Sequence, residues 1–347
     1  MKVGRLGPSG AVILEELPEP VAGPGEVTVR LAACGVCGTD LEKVRGNYRT
    51  AGILGHEPVG RIDSVGAGVR DLAEGDRVFV HHHVPCLACE VCRRGDPTFC
   101  PSYSTTNLDP GGFADRFRAS ADHVAKGAVL PLDPGVSWPT GSLLEPAGCA
   151  LTALRKVGLA ERGSVLVLGL GPVGLLYARL ARALGAGWVG GTEISELRRR
   201  AAERGGIDAS VDPREPGAVH EMVQRATGGR GVDLAVAASG PPSVVRTAVD
   251  EVRRGGTVNL FGLPEAGSHL EADLQQLYLR GVKVVPSYAT TEREIRDVHE
   301  MVVGRRVTLD DLVTHHVPLA EIGEAFRLAA QPQTAVKVIV TGAAFAT

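Results

Sequence analysis

The chain has 347 residues, 44% of them hydrophobic and 22% charged, and a formal net charge of -3. That length exceeds what single cores usually reach, so two domains are expected. The small negative balance and interspersed charges give no basis for binding nucleic acid or an anionic membrane. There is no secretory hydrophobic segment after Met1 and no run of roughly 18 apolar residues, so a cytoplasmic protein is expected.

Up to about residue 140, the chain is dense in Gly, Pro and short β-branched runs such as 27–31 and 77–80, which reads as strands joined by turns. Within this region Cys86, Cys89, Cys92 and Cys100 fall inside fifteen residues. Short spacers let one loop supply all four sulfurs to a tetrahedral zinc, and such a site, closed to substrate, is structural. The scatter of the other three cysteines and the absence of secretory features favour thiolates in a reducing cytosol over disulfides. His81, His82 and His83 lie at the entry to this loop in a probable strand, where alternation sends neighbours to opposite faces and favours structural roles.

The texture changes after Pro146. A helical stretch from Leu151 to Val157 leads into 164–168, a short apolar run suited to a strand buried on both faces. A second strand is read at 187–191, a charged helix from Glu196 to Arg204, and further strands at 232–237 and 257–261. Strands alternating with helices predict a parallel sheet covered on both sides. Past about residue 287 the pattern loosens, ending in 335–340 as a strand that completes the first lobe.

Gly169-Leu170-Gly171-Pro172-Val173-Gly174 fits G-x-G-x-x-G and stands between a buried strand and a helix, where its glycines have physical tasks. Gly169 permits a tight turn, Gly171 lets the backbone approach a pyrophosphate, and Gly174 lets helix and strand pack closely. Glu193, nineteen residues past Gly174, ends the second strand and can accept both hydroxyls of an adenosine ribose, favouring NAD. Arg198 could instead sit beside a 2'-phosphate, which leaves NADP open. Ser287 and Tyr288 follow the last strand of this region and are candidates to approach the nicotinamide.

A zinc that activates an alcohol needs about three protein ligands and one open position. Cys37, in Cys34-Gly35-Val36-Cys37-Gly38-Thr39-Asp40, and His56 can supply two of them. Glu57, Glu145 or both can supply the rest. Cys34 and Cys149 read as packing residues.

On these residues the chain resembles the zinc-dependent medium-chain alcohol dehydrogenase superfamily. Gly55, His56, Glu57, Gly60, Gly66 and Val69 fit its signature G-H-E-x2-G-x5-G-x2-V. The Cys37-to-Asp40 element, the four-cysteine loop and the nucleotide glycines stand in the family's order. Glu145-Pro146 is similar to the polyol branch, which includes sorbitol, threonine and glucose dehydrogenases. The resemblance implies an α/β chain with a GroES-like β-rich catalytic domain over 1–145, completed by 288–347, and a Rossmann doubly wound parallel-sheet domain over 146–287. It implies two zinc ions, one catalytic and one structural, and NAD or NADP. The substrate would be a small hydroxylated molecule (a polyol, sugar, cyclitol or amino sugar), and the assembly a homodimer or homotetramer. Thr39 would pass the proton on. Where many members place a relay histidine, this chain has Glu42, an acid that can shuttle the proton or serve only the surface. Two other functions fit the same fold: a redox-neutral epimerase or eliminating enzyme that retains its nicotinamide, and a non-catalytic nucleotide-binding protein.

Overall fold

In a computed structural model that describes residues 1–8, 10–47 and 52–346, the chain builds two large sheets and a hairpin of Lys2–Leu6 with Val12–Glu16. Ser164–Leu168, Trp188–Thr192, Ala209–Val211, Val232–Ala237, Val252–Leu260 and Lys283–Pro286 make a six-stranded sheet in which every pairing is parallel. Counted in chain order, its strands run 3-2-1-4-5-6, so the order reverses between Ser164–Leu168 and Val232–Ala237. The crevice outside the carboxyl ends of those two strands is where such sheets bind dinucleotides.

The apolar run of the first of these strands has a physical reason. Val165 and Val167 pack into one core with Leu175 and Leu176, and Leu166 and Leu168 into another with Val223 and Val249. Alternating side chains thus meet a covered face on either side, and no position is left for a polar residue.

Two boundaries differ from the sequence reading. The strand expected at 257–261 is the end of the longer Val252–Leu260, whose first half, with Arg253, Arg254 and Gly255, lacks an apolar signature and pairs through a register shift. The helix read from Leu151 begins at Leu144, and Pro146 is accommodated in its first turn, where no N–H is needed. Glu145 therefore rides on a helix.

The other sheet has seven strands. Val313–Pro318, Lys337–Thr341, Val27–Gly35, Pro58–Val65, Arg77–Val80 and Val129–Pro131 follow one another, and Arg116–Ala119 is added to Val27–Gly35. Lys337–Thr341 runs antiparallel to Val27–Gly35 with Ile339 opposite Gly35 and Val340 opposite Cys34. A strand from the far end of the chain thereby flanks the backbone that leads to Cys37. Helix Leu144–Val157 joins the two sheets: its Leu144, Ala147, Leu151 and Leu154 share a core with Val165 and Val167 of one and with Ala33, Val59 and Phe79 of the other. Among the described residues, no helix is long and apolar enough to cross a membrane.

Candidate active site

Strand Val27–Gly35 ends where Cys37 takes the N-cap position of helix Gly38–Val44. Asp40, fully buried in the first turn, fixes this corner. One of its oxygens accepts from the Cys37 N–H at 3.1 Å, and the other accepts from the Gly55 N–H at 3.2 Å and lies 3.4 Å from His56 Nδ1. A carboxylate on Nδ1 sets the ring's orientation and leaves Nε2 as the ligand nitrogen. Burial disfavours a charged imidazole, but Asp40 and Cys37 beside it hold His56 well above its usual pKa.

Glu57 points into the same corner. Its two oxygens lie 2.8 and 2.6 Å from Lys337 Nζ, and both side chains are closed to solvent. Burial works against the ammonium, yet the Glu57 carboxylate raises the Lys337 pKa above its ordinary value, while burial raises that of Glu57 itself. Gly35 is required here, because a Cβ at that position would stand 1.7 Å from Glu57 Oε2. Cys37, His56 and Glu57 offer ligand atoms that all lie within 4.8 Å of one another. A thiolate, an imidazole and a carboxylate converging this closely are a donor set suited to zinc.

The structure groups Glu145 differently. Its carboxylate accepts from Cys149 Sγ at 3.3 Å and lies within 4.8 Å of ligand atoms of His81 and His82. The strand expected to carry His81, His82 and His83 stops short: Arg77–Val80 ends before them and the chain bends at His82, so pleat alternation does not govern these side chains. Their rings meet edge to face with centroids 5.2 Å apart, and the His82 ring lies 5.0 Å from that of His56. Burial, followed by repulsion from the neighbouring imidazoles, keeps His82 well below its usual pKa and hence neutral.

Thr39 occupies the first turn of the helix behind Cys37, and Glu42 follows three residues on. The two oxygens of Glu42 accept from Arg45 Nη1 at 2.6 Å and Asn47 Nδ2 at 2.7 Å.

The four-cysteine loop closes around a common point. Sγ separations are 3.5 Å for Cys89 with Cys92, 3.8 Å for Cys89 with Cys100 and 3.5 Å for Cys86 with Cys100. Tetrahedral zinc with ordinary Zn–S bonds places its sulfurs about 3.8 Å apart, so these four fit one ion. Backbone N–H groups of Ala88 and Cys89 donate to Cys86 Sγ at 3.4 and 3.2 Å, which suits a thiolate.

In the glycine-rich turn, Gly169 adopts φ 103°, and a Cβ on Gly174 would meet the Gly169 carbonyl oxygen at 1.9 Å. Gly171 caps the helix Pro172–Ala183, in which Pro172 and Val173 form the first turn. Among the described residues, the only atom within 4 Å of a Cβ there is Arg198 Nη1, at 3.6 Å, so the turn leaves room for a pyrophosphate. Glu193 follows the second strand. It accepts from the Ser195 N–H at 3.0 Å, and its other oxygen stands 4.0 Å from Arg198 Nη1. Arg198 also donates from Nε to the Ala335 carbonyl at 3.1 Å. Tyr288 stacks near Phe99, and Ser287 accepts from buried Asn259 at 2.8 Å.

Residues 23–131 match the alcohol dehydrogenase GroES-like domain, and residues 172–304 match the zinc-binding dehydrogenase family. The chain belongs to the zinc-dependent medium-chain alcohol dehydrogenases. It is 33% identical to the sorbitol dehydrogenase of Bacillus subtilis over 76% of this chain and 75% of that one. It is 32% identical to the L-threonine 3-dehydrogenase of Pyrococcus furiosus over 93% of each. A zinc-binding dehydrogenase of Sinorhizobium meliloti bound to NADP superposes with a TM-score of 0.86 at 27% identity, covering 98% of both chains. The chain is therefore an oxidoreductase of alcohols that uses zinc and a nicotinamide cofactor.

Asp40 and Lys337 escaped the sequence reading as members of this site. Asp40 had a visible signal, since a carboxylate three residues after Cys37 is placed to cap the same helix turn. Lys337 is 280 residues from Glu57 and had none.

Proposed function

We propose that this dehydrogenase oxidises a secondary alcohol bearing a polar group on the next carbon (a polyol, sugar, cyclitol or amino sugar) to the ketone with NAD, or performs the reverse reduction. The convergence of Cys37, His56 and Glu57 carries the reading. The relatives' names support the substrate class, because sorbitol and threonine both carry such a group beside a secondary carbinol.

Zinc bound in this corner would supply Lewis-acid polarisation of the substrate oxygen. Cys37 and His56 are its proposed ligands, with Glu57 or Glu145 as the third. A second zinc is assigned to Cys86, Cys89, Cys92 and Cys100. Asp40 holds His56 in register, and Lys337 holds the Glu57 carboxylate in place. Thr39 would pass the hydroxyl proton to Glu42, one turn along the same helix, and a nicotinamide held at the glycine-rich turn would supply the hydride acceptor. A Glu42→Gln variant with unchanged turnover at every pH would remove Glu42 from this path. Residues 1–145 with 288–347 are proposed as the catalytic unit and 146–287 as the cofactor unit, in a cytoplasmic enzyme.

The ribose is assigned to Glu193. Glu193→Ala should lower kcat/KM with NAD by about 10- to 100-fold, the loss of charge-assisted hydrogen bonds, and shift preference toward NADP. Equal NAD use by the variant would reassign the contact. Self-association is proposed through the edge strand Lys283–Pro286 and its neighbouring helix Leu274–Arg280, where Leu274 and Tyr278 are 77% and 85% exposed. Light scattering that shows only monomer would refute it.

The function itself is tested by following nicotinamide reduction by zinc-loaded enzyme over polyols, cyclitols, amino sugars and threonine, with and without chelator. Accumulating reduced cofactor that chelation abolishes is the expected result. Turnover insensitive to chelator, or a product isomer without free reduced cofactor, would overturn it.

A further inference from the structure

His81, His82 and Glu145 form a buried polar cluster that no step above uses as a unit. His81 is 1% exposed, and its Nδ1 pairs with Glu292 Oε1 at 3.1 Å. The Glu292 carboxylate accepts a hydrogen bond from the Nδ1–H, the tautomer that leaves Nε2 of the neutral ring as an acceptor. That Nε2 and His82 Nδ1 are both buried without a hydrogen-bond partner among the described residues. Glu145 brings a carboxylate oxygen to within 4.8 Å of a ring nitrogen on each histidine. Buried nitrogens left unpaired beside a carboxylate are costly, and a partner that donates hydrogen bonds would relieve them. His82 is only half-buried and lies beside His56, so the cluster borders the corner where the reacting carbinol is proposed to sit.

The geometry points to a specificity subsite in which His82, His81 and Glu145 receive a hydrogen-bond donor, a hydroxyl or ammonium, carried on the carbon next to the one oxidised. This rests on the dehydrogenase reading, with Glu57 rather than Glu145 as the third zinc ligand, and adds what selects the substrate. Three acceptors in close array suit –OH or –NH3+ and penalise a methyl group, which would leave the two ring nitrogens unpaired. Sites built around a substrate hydroxyl discriminate strongly against analogues that lack it. His81 acts inside this array as the fixed acceptor, and Glu292 holds it there across 211 residues of sequence.

The test compares butane-2,3-diol with butan-2-ol on zinc-loaded wild type, His82→Phe and His82→Gln, with metal content measured on each. Wild type should favour the diol by at least about 100-fold in kcat/KM. His82→Phe, which keeps the ring and loses both nitrogens, should reduce that ratio at least about tenfold, chiefly through KM for the diol. His82→Gln should restore part of it, and zinc should stay at its wild-type level in both variants. Independently of any variant's folding, 15N-labelled wild-type histidine should show a His82 or His81 ring resonance that shifts when the diol, but not butan-2-ol, is added with reduced cofactor. An unchanged ratio in His82→Phe, no preference in wild type, loss of zinc with His82, or no selective resonance shift would each overturn the subsite. Wild-type oxidation of both alcohols at equal rates would sink the subsite alone. Failure to oxidise any alcohol of the panel would sink the dehydrogenase reading with it.

Discussion

Replacing Cys37 by alanine is expected to remove one of the two proposed zinc ions and to lower kcat/KM by at least about ten-thousand-fold. Losing the metal would forfeit several kcal/mol of transition-state stabilisation. Cys37 is the softest donor of its trio and sits at a helix N-cap whose backbone Asp40 fixes. Elemental analysis and initial rates measure both effects. A Cys100→Ser variant separates the two sites: it should lose the other zinc and unfold at a lower temperature. If Cys37→Ala keeps both metals and its rate, the catalytic centre lies elsewhere.

Lys337→Met is expected to destabilise the fold by about 3–5 kcal/mol, because it strands the Glu57 carboxylate without a counter-charge. The side chains of Lys337 and Glu57 are 2% and 0% exposed, so neither water nor salt can compensate. Combining Lys337→Met with Glu57→Leu removes both charges and should recover most of the stability, since apolar replacements of a buried pair are often neutral or better. It should not recover turnover, because Glu57 belongs to the metal corner. Denaturant unfolding of zinc-loaded protein, read with steady-state rates, separates the outcomes. A single Lys337→Met variant as stable as wild type would show that Glu57 is held by something other than this ion pair.

The elements whose signals are local were legible in the residue order. Four cysteines within fifteen residues can meet by folding one loop, and the structure brings their sulfurs to tetrahedral separations. The glycine-rich turn was equally plain, because a buried strand, a Cβ-free crossing at Gly174 and a helix start are consecutive along the chain. Beside the cysteine loop, the strand expected over His81, His82 and His83 is not formed, because pairing ends at Val80 and the backbone bends at His82.

The sequence by itself determined the chemistry available: thiolates, imidazoles and carboxylates in zinc-type order, and a phosphate cradle between a strand and a helix. Only the tertiary structure decided which of these groups serve one another. The strand at Lys337–Thr341 returns to lie beside Val27–Gly35, so an ammonium meets Glu57 across 280 residues. Glu292 reaches His81 across 211 residues. The physical reason is that a buried charge or ring nitrogen needs a partner in space, and sheet register, which no short stretch encodes, supplies it.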